Sequence, residues 1–325
     1  MMEQQTRYTV TVEEYVHYQK NGYLIVKGLL SKPDVQKLVD WTDDIYHGRI
    51  NLDHLSHVGK WSTENEKMDR LASARIHNPH KENAVAEWGL LHPKVLDALE
   101  GLIGMDIFAL QSMLFFNPPG KGGQGWHQDS YYIQTMPDTL IGAWYALDRA
   151  DEQNGCLWVA PGSHVEPIYP PPEQKNVYVH SDERHIEGLF KANAASHMDD
   201  EVNNLSGVAN KYGAIPVVLD PGDVLFFHSH LLHRSYKNET PDRFRRSYVC
   251  HYSNARSWVP WGRGAAYREN AAHSGHLLVR GRTHQPYAEP RLGTPVTLSP
   301  IQENAEDNGS MMIAMPNGDM GKLDM

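Results

Sequence analysis

From about residue 106 the chain is a succession of short β-forming runs, at 107–116, 140–147, 156–159, 216–219, 224–227 and 247–252, with Gly, Pro, Asp and Asn between them. Runs this short, broken this often by turn residues, do not build a helical bundle; they close into a sandwich or a barrel. Ahead of them the texture is helical. Thr11-Val12-Glu13-Glu14 has the form of a capping box, in which a hydroxyl and a carboxylate tie off free amides at a helix start, and Asn21-Gly22 is a good stop. A strand is predicted over 23–26. Ser31 then opens a second helix, with Pro33 early in it and Val35, Leu38, Val39 and Trp41 on one face, and 83–104 again reads as helical. The expected architecture is mainly β, with flanking helices packed on a sheet face.

The 325 residues fit a single domain over 1–325. Within it, 1–105 is the helix-rich part, 106–262 the β core and 263–325 a C-terminal extension. Residues 165–213 interrupt the core; they carry Pro167 and Pro170-Pro171-Pro172, turn polar and His-rich, and are expected to cover the barrel mouth. The tail, with Met311, Met312, Met315, Met320 and Met325, shows no clear periodicity, and there is no internal repeat. The formal charge of -10 argues against nucleic acid, and less strongly against an anionic membrane surface, because both need clustered Lys and Arg. No stretch of about 18 apolar residues suggests a membrane span. Cys156 and Cys250 read as small buried residues, too few for a disulfide framework. The start, MMEQQTRYTV, has no apolar signal-type run, so a reducing, cytoplasmic location is expected. Nothing in the sequence points to an oligomeric state.

The chemistry concentrates in three places. His127 and Asp129 lie two apart, and in a strand both side chains point to one face, where they can share an ion. About a hundred residues on, the turn Asp220-Pro221-Gly222-Asp223 and the run 224–227 lead to His228, His230 and His233, any of which can supply a third ligand. Two imidazoles and one carboxylate make a facial set with open positions suited to Fe(II) and oxygen, whereas structural zinc more often closes its shell with four protein ligands. Finally, Arg245 and Ser247 share a strand face and Arg246 takes the other. An inward guanidinium is a grip for a carboxylate. Arg243 and Arg246 compete with Arg245 for that part. The glycines of 122–125 lack the strand–loop–helix setting of a phosphate cradle. Arg256, Trp258, Trp261 and Arg263 are candidates to face a substrate.

Taken in order, these residues resemble the phytanoyl-CoA dioxygenase family of Fe(II)/2-oxoglutarate oxygenases. The match runs through Trp126-His127-Gln128-Asp129, Ala143-Trp144-Tyr145-Ala146-Leu147-Asp148, Asn154-Gly155-Cys156-Leu157 and Pro161-Gly162-Ser163-His164. It continues through Gly222-Asp223-Val224-Leu225-Phe226-Phe227-His228, Leu231-Leu232-His233-Arg234-Ser235 and Arg245-Arg246, with 21–31 similar to the family's N-terminal start. The resemblance implies a double-stranded β-helix, a jelly-roll of cupin type. It implies His127, Asp129 and His233 as iron ligands, since His233 alone has the His-x-Ser context. It implies Arg245 on the far carboxylate of 2-oxoglutarate, helped by Ser235, with Trp144 lining that pocket and Gln111 as a polar contact. With O2 as oxidant, the implied reaction is hydroxylation of a small molecule with release of succinate and CO2. A carboxylate at 129 favours it over halogenation, which in relatives goes with a small residue there. Asn117 departs from the family, where Lys commonly precedes the Pro pair, and the spacing from His233 to Arg245 is one residue longer than the family's usual pattern. Two other functions fit the same fold: a cupin-type metal enzyme without 2-oxoglutarate, which leaves Arg245 without a task, and a non-catalytic jelly-roll binding module.

Overall fold

The computed structural model describes residues 7–50, 76–169, 205–259, 276–283, 285, 288–295, 311–314 and 320–323. Both expected capping boxes form. At α1 (Val12–Asn21) the Thr11 hydroxyl accepts from the Glu14 amide while the Glu14 carboxylate accepts from the Thr11 amide, and the chain leaves through Gly22 at φ 77°. Ser31 and Asp34 repeat the arrangement at α2 (Lys32–Tyr46). The stretch expected as helical over 83–104 is two helices, α3 (Ala84–Leu90) and α4 (Pro93–Ile103). Pro93 explains the break. It bars its predecessor from helical backbone, so His92 sits at ψ 121° and a new helix begins with proline in its first turn.

The strands follow in chain order as β1 (Tyr23–Val26), β2 (Ile76–His77), β3 (Ile107–Phe115), β4 (Gln124–His127), β5 (Ile141–Ala146), β6 (Leu157–Val159), β7 (Ile215–Val217), β8 (Val224–His228), β9 (His233–Ser235), β10 (Ser247–Asn254) and β11 (His276–Arg280). The larger sheet runs β1-β8-β5-β10-β3-β11, with β2 also on β3 and Ala288–Pro290 beyond β11; the smaller runs β4-β9-β6-β7. Pairing within this core is antiparallel. The two sheets form the expected double-stranded β-helix. The larger sheet reaches past residue 262, where the β core was expected to stop, because β11 pairs with β3. The tail also holds more order than its lack of periodicity suggested: Met311–Ala314 and Met320–Leu323 pair antiparallel. Of the interruption at 165–213, residues 170–204 lie outside the described residues. Its last part is α5 (Leu205–Tyr212), whose Leu205, Val208 and Ala209 cluster with Trp126, Tyr169 and Leu232.

The central strands of the larger sheet are covered on both faces, so β3 is buried at all positions but its last. On one face Tyr248, Cys250 and Tyr252 of β10, Tyr145 of β5 and Leu114 of β3 join the helices in the main core, around Leu38, Trp41, Leu96 and Leu99. On the other, Trp144, Leu225, Phe227, Met113 and Val249 meet Val159 and Val217 of the smaller sheet. With both faces dry, hydrophobic alternation no longer marks the inside. The polar residues that share the second face mark it instead.

Burial of histidine gives the fold a pH dependence. His80, in the turn Pro79–Lys81, lies beneath the surface with Nδ1 2.6 Å from Ser112 Oγ. Burial pushes its pKa down to about 3, and the charges of Lys81 and Arg291 act in the same direction. Burial likewise lowers His228 to about 4, with His230 adding to the effect. Unfolded histidine titrates near 6.5, so between that value and the folded values the unfolded chain binds more protons. Stability is complete above about pH 6.5 and is lost as pH falls through that window. Thermal melts from about pH 7 to about pH 5 should show this decline, and His80→Gln should make it shallower. An unchanged slope in the variant would remove His80 as a cause.

Candidate metal centre

β4 and β9 pair antiparallel with His127 directly opposite His233. Side chains at facing positions project together, which is how two histidines distant in sequence come to share one point. Their ring centroids are 4.0 Å apart. Asp129 joins them by a route slightly different from the one expected. It does not lie in the strand but opens a 3-10 turn, Asp129–Tyr131. Gln128 between is extended at φ -124°, ψ 129°, so the two-residue alternation survives for one more step. Asp129 Oδ1 stands 3.6 Å from Nε2 of His127 and 3.6 Å from Nε2 of His233. One donor atom from each residue lies within 4.8 Å of the others, and all three residues are buried.

The donor set fits a metal in its protonation as well as its spacing. His127 Nδ1 is 2.8 Å from the Gly125 carbonyl, and His233 Nδ1 is 2.9 Å from the Leu231 carbonyl. A carbonyl only accepts, so each Nδ1 carries the proton and each Nε2 presents its lone pair inward. Phe227 backs His233, ring to ring at 4.8 Å. Gly142 permits this, since a Cβ there would lie 2.3 Å from the Phe227 ring. Burial works to raise the Asp129 pKa, but His233, His251 and His127 outweigh it and hold the carboxyl well below the usual range.

His251 was not among the residues singled out from sequence. It lies on β10 and its Nε2 donates to Asp129 Oδ2 at 2.9 Å. The carboxylate is thereby oriented with Oδ1 toward the two histidines. The other histidines considered for the third ligand turn elsewhere. His230 bonds Asp138 and the Glu166 carbonyl, and His228 Nδ1 accepts from the His230 amide.

Arg245 is 4% exposed and has no carboxylate partner among the described residues. Its Nη1 lies 3.3 Å from Ser247 Oγ, and its guanidinium stands 5.6 Å from the Trp144 ring centre. Burial without a counter-ion lowers its pKa to about 10. The two competing arginines are engaged elsewhere. Arg243 forks onto Asp151, and Arg246, on the opposite face, binds Asp148 and Asp43. Asn117, at φ 41°, takes up the space where the family commonly has Lys. Its amide oxygen, in the orientation hydrogen bonding requires, accepts from Arg245 Nε at 3.3 Å and Nη2 at 3.1 Å, and its carbonyl accepts from the Arg245 amide. Ser235, two past His233, is buried and accepts from the Gln124 amide at 3.0 Å. Gln111 is buried opposite His251 in the β3–β10 register and bonds His77. Arg256 pairs with Asp106 and Trp258 is 44% exposed, while Trp261 and Arg263 lie outside the described residues.

The start of the interruption is tied to this centre. Gln128 donates to the carbonyls of Pro167 and His230 and accepts from the Tyr169 amide. No helix among the described residues is long and apolar enough to cross a membrane.

A double-stranded β-helix that gathers two imidazoles and a carboxylate, with a buried guanidinium two residues ahead of β10, defines a class: the non-haem Fe(II)- and 2-oxoglutarate-dependent oxygenases. The model of the family Phytanoyl-CoA dioxygenase (PhyH) matches residues 18–247, and the chain belongs to that family. It is 27% identical over 270 residues to the peroxisomal phytanoyl-CoA dioxygenase of Bos taurus, covering 78% of this chain and 72% of the bovine protein. It is 26% identical over 274 residues to a probable alpha-ketoglutarate-dependent hypophosphite dioxygenase of Stutzerimonas stutzeri, covering 83% and 86%. Among solved structures, CytC3 with Fe(II) and alpha-ketoglutarate matches at TM-score 0.56 and 17% identity, over 88% of this chain and 95% of that one. EctD from S. alaskensis matches at TM-score 0.56 and 21% identity, over 76% and 78%. The structural likenesses are likenesses of fold.

Proposed function

We propose that His127, Asp129 and His233 hold the iron, and that Arg245 binds the far carboxylate of 2-oxoglutarate in a pocket shared with Ser235, Trp144 and Gln111, for hydroxylation of a small-molecule substrate. The observation that carries this reading is the convergence of three buried donor atoms within 4.8 Å, each imidazole already committed to present Nε2. Bound iron with 2-oxoglutarate would supply oxygen activation, the keto acid leaving as succinate and CO2 while one oxygen atom enters a C–H bond. The protein's own share is positioning and electrostatics. Asp129 contributes negative charge and is kept ionised and aimed by His251. Arg245 gains in the co-substrate the anion it lacks, and Trp144 gives that charge an aromatic wall. Dry packing on both faces of the larger sheet limits water at the reacting centre.

Relatives named for phytanoyl-CoA and for hypophosphite show how far substrates diverge within this likeness, so a small molecule is the partner class we assign. The free, buried Cys156 and Cys250 suit a reducing compartment, and we place the enzyme in the cytoplasm. Succinate release in the presence of added Fe(II), O2 and 2-oxoglutarate tests the function, with the expected result a rate that requires both iron and keto acid. Turnover of a substrate that is indifferent to 2-oxoglutarate would instead favour a cupin-type enzyme. Metal binding without succinate would favour a binding module.

A further inference from the structure

The ladder that brings His127 and His233 together does not reach the third ligand. β4 and β9 pair as far as those two histidines, and Asp129 has already left the strand. His251 aims the Asp129 side chain, but the backbone that carries it must be fixed against the backbone that carries His233 by other contacts. Backbone bonds begin this. The Ser130 amide donates to the Ser229 carbonyl at 3.1 Å, and the Ser229 amide to the Leu140 carbonyl at 3.2 Å. Gln128 adds a side-chain bond to the His230 carbonyl.

Asp138 stands where these segments meet. On the segment that follows Asp129, its carboxylate accepts from Ser130 at 2.8 Å, Thr135 at 3.2 Å and the Leu140 amide at 3.3 Å. On the turn that leads to His233, it accepts from Ser229 at 3.3 Å and His230 Nε2 at 2.5 Å. The other ring nitrogen of His230, Nδ1, lies 2.9 Å from the Glu166 carbonyl. Carboxylates and carbonyls only accept, so both nitrogens donate and the ring is an imidazolium. Burial opposes both charges, and the bond between the two groups outweighs it, holding Asp138 below the usual carboxylate range and His230 above the usual histidine value. The Glu166 carboxylate in turn accepts from Tyr169 and Tyr212, so the same cation reaches the start of the interruption and α5.

We infer that Asp138 and His230 are positioning residues for the metal centre, their ion pair setting the separation between the turn that presents Asp129 and the strand that presents His233. This rests on the proposed ligand set and deepens it. Neither residue belongs to the donor cluster, so each acts through the ligands alone. A carboxylate that accepts from both segments at once is a clamp whose strength depends on its charge, because hydrogen bonds to ionised groups are about twice as strong as neutral ones. Asp138→Asn keeps the shape and opens the clamp. Whichever way the amide turns, its NH2 meets donors that the carboxylate had accepted from. His230→Gln keeps a polar side chain and removes the cation.

The experiment titrates the full chain with Co(II), read by its visible absorption, beside Asp138→Asn, His230→Gln and the double variant. Asp97→Asn is the control for stability alone, since Asp97 lies on α4, outside the cluster, and its loss breaks ion pairs with Arg7 and Arg280. Asp138→Asn and His230→Gln should each weaken Co(II) binding by about tenfold and shift the visible band at saturating metal, the sign of altered ligand angles. The double variant should bind no worse than the weaker single one, because the two residues act as a unit. Asp97→Asn should lower the melting temperature and leave affinity and band unchanged. An unchanged affinity and band in His230→Gln overturns the inference, and this variant decides even where Asp138→Asn does not fold, since the His230 side chain is 19% exposed. Additive losses in the double variant, or an equal loss in Asp97→Asn, overturn it too. No Co(II) binding by the unaltered protein overturns the ligand set and the positioning role with it, whereas normal binding there and in both single variants removes the positioning role alone.

Discussion

Asp129→Ala should abolish iron-dependent succinate release and lower metal affinity by more than about a hundredfold, exceeding what loss of an outer partner of a metal usually does. Asp129 is the only carboxylate in the cluster, and three imidazoles, of His127, His233 and His251, stand around it. Without it the histidines keep their backbone-directed orientation, since the Gly125 and Leu231 carbonyls that fix them are untouched. The expected protein is therefore folded and metal-poor. His127→Ala should behave alike through loss of a donor. His228→Ala serves as the control, because His228 competed with His233 for the third ligand by sequence and lies outside the cluster. Titration with Co(II) followed by absorbance reads affinity directly, and near-normal binding in Asp129→Ala together with a loss in His228→Ala would overturn the ligand set.

The second large effect is at Arg245. Arg245→Met keeps the volume of the stem and removes the fork, and it should raise the 2-oxoglutarate KM by roughly a hundredfold, since removing one partner of a buried charged pair weakens binding by about 2–5 kcal/mol. Turnover at saturating keto acid should fall much less. The same change should leave the melting temperature of the ligand-free protein unchanged or higher, because the guanidinium it removes is buried with no carboxylate beside it. A structural arginine would behave in the opposite way, losing stability while keeping KM. Arg245→Lys should recover only part of the loss, having charge without the planar fork. Asn117→Ala should raise KM by a smaller factor, since Asn117 holds Nε and Nη2 in place and does not itself supply the charge.

Much of this could be read along the chain because local rules decide it. The capping residues Thr11 and Ser31, the stop at Gly22 and the strand runs need only neighbours to explain them. Parity did as much for the site. The alternation that put Ser247 beside Arg245 and Arg246 on the far side is the one the sheet realises. Carried four residues further, the same count reaches His251, whose partner Asp129 is 122 residues away; nothing in the sequence near 251 names that partner. Asn117 shows the converse case. Its departure from the family pattern was visible, but only the third dimension shows that it turns to Arg245. β11 escaped notice because its reason for being a strand is the open edge of β3, which no local pattern reports.

β10 presents Ser247, His251 and Ser253 to one side of the larger sheet, in step with Arg245 just ahead of it, and Tyr248, Cys250 and Tyr252 to the other. The hydroxyls of Tyr145, Tyr248 and Tyr252 donate to the carbonyls of Gly89, Ala86 and Leu90 in α3, tying the strand's back to one helix. The strand is thus indexed from behind, like a rack held by its pawl. A slip of one residue would turn tyrosines toward the cluster of His127, Asp129 and His233 and bring the guanidinium up against the helix, so the aim of the side chains at that cluster is set by contacts on the opposite face of the sheet.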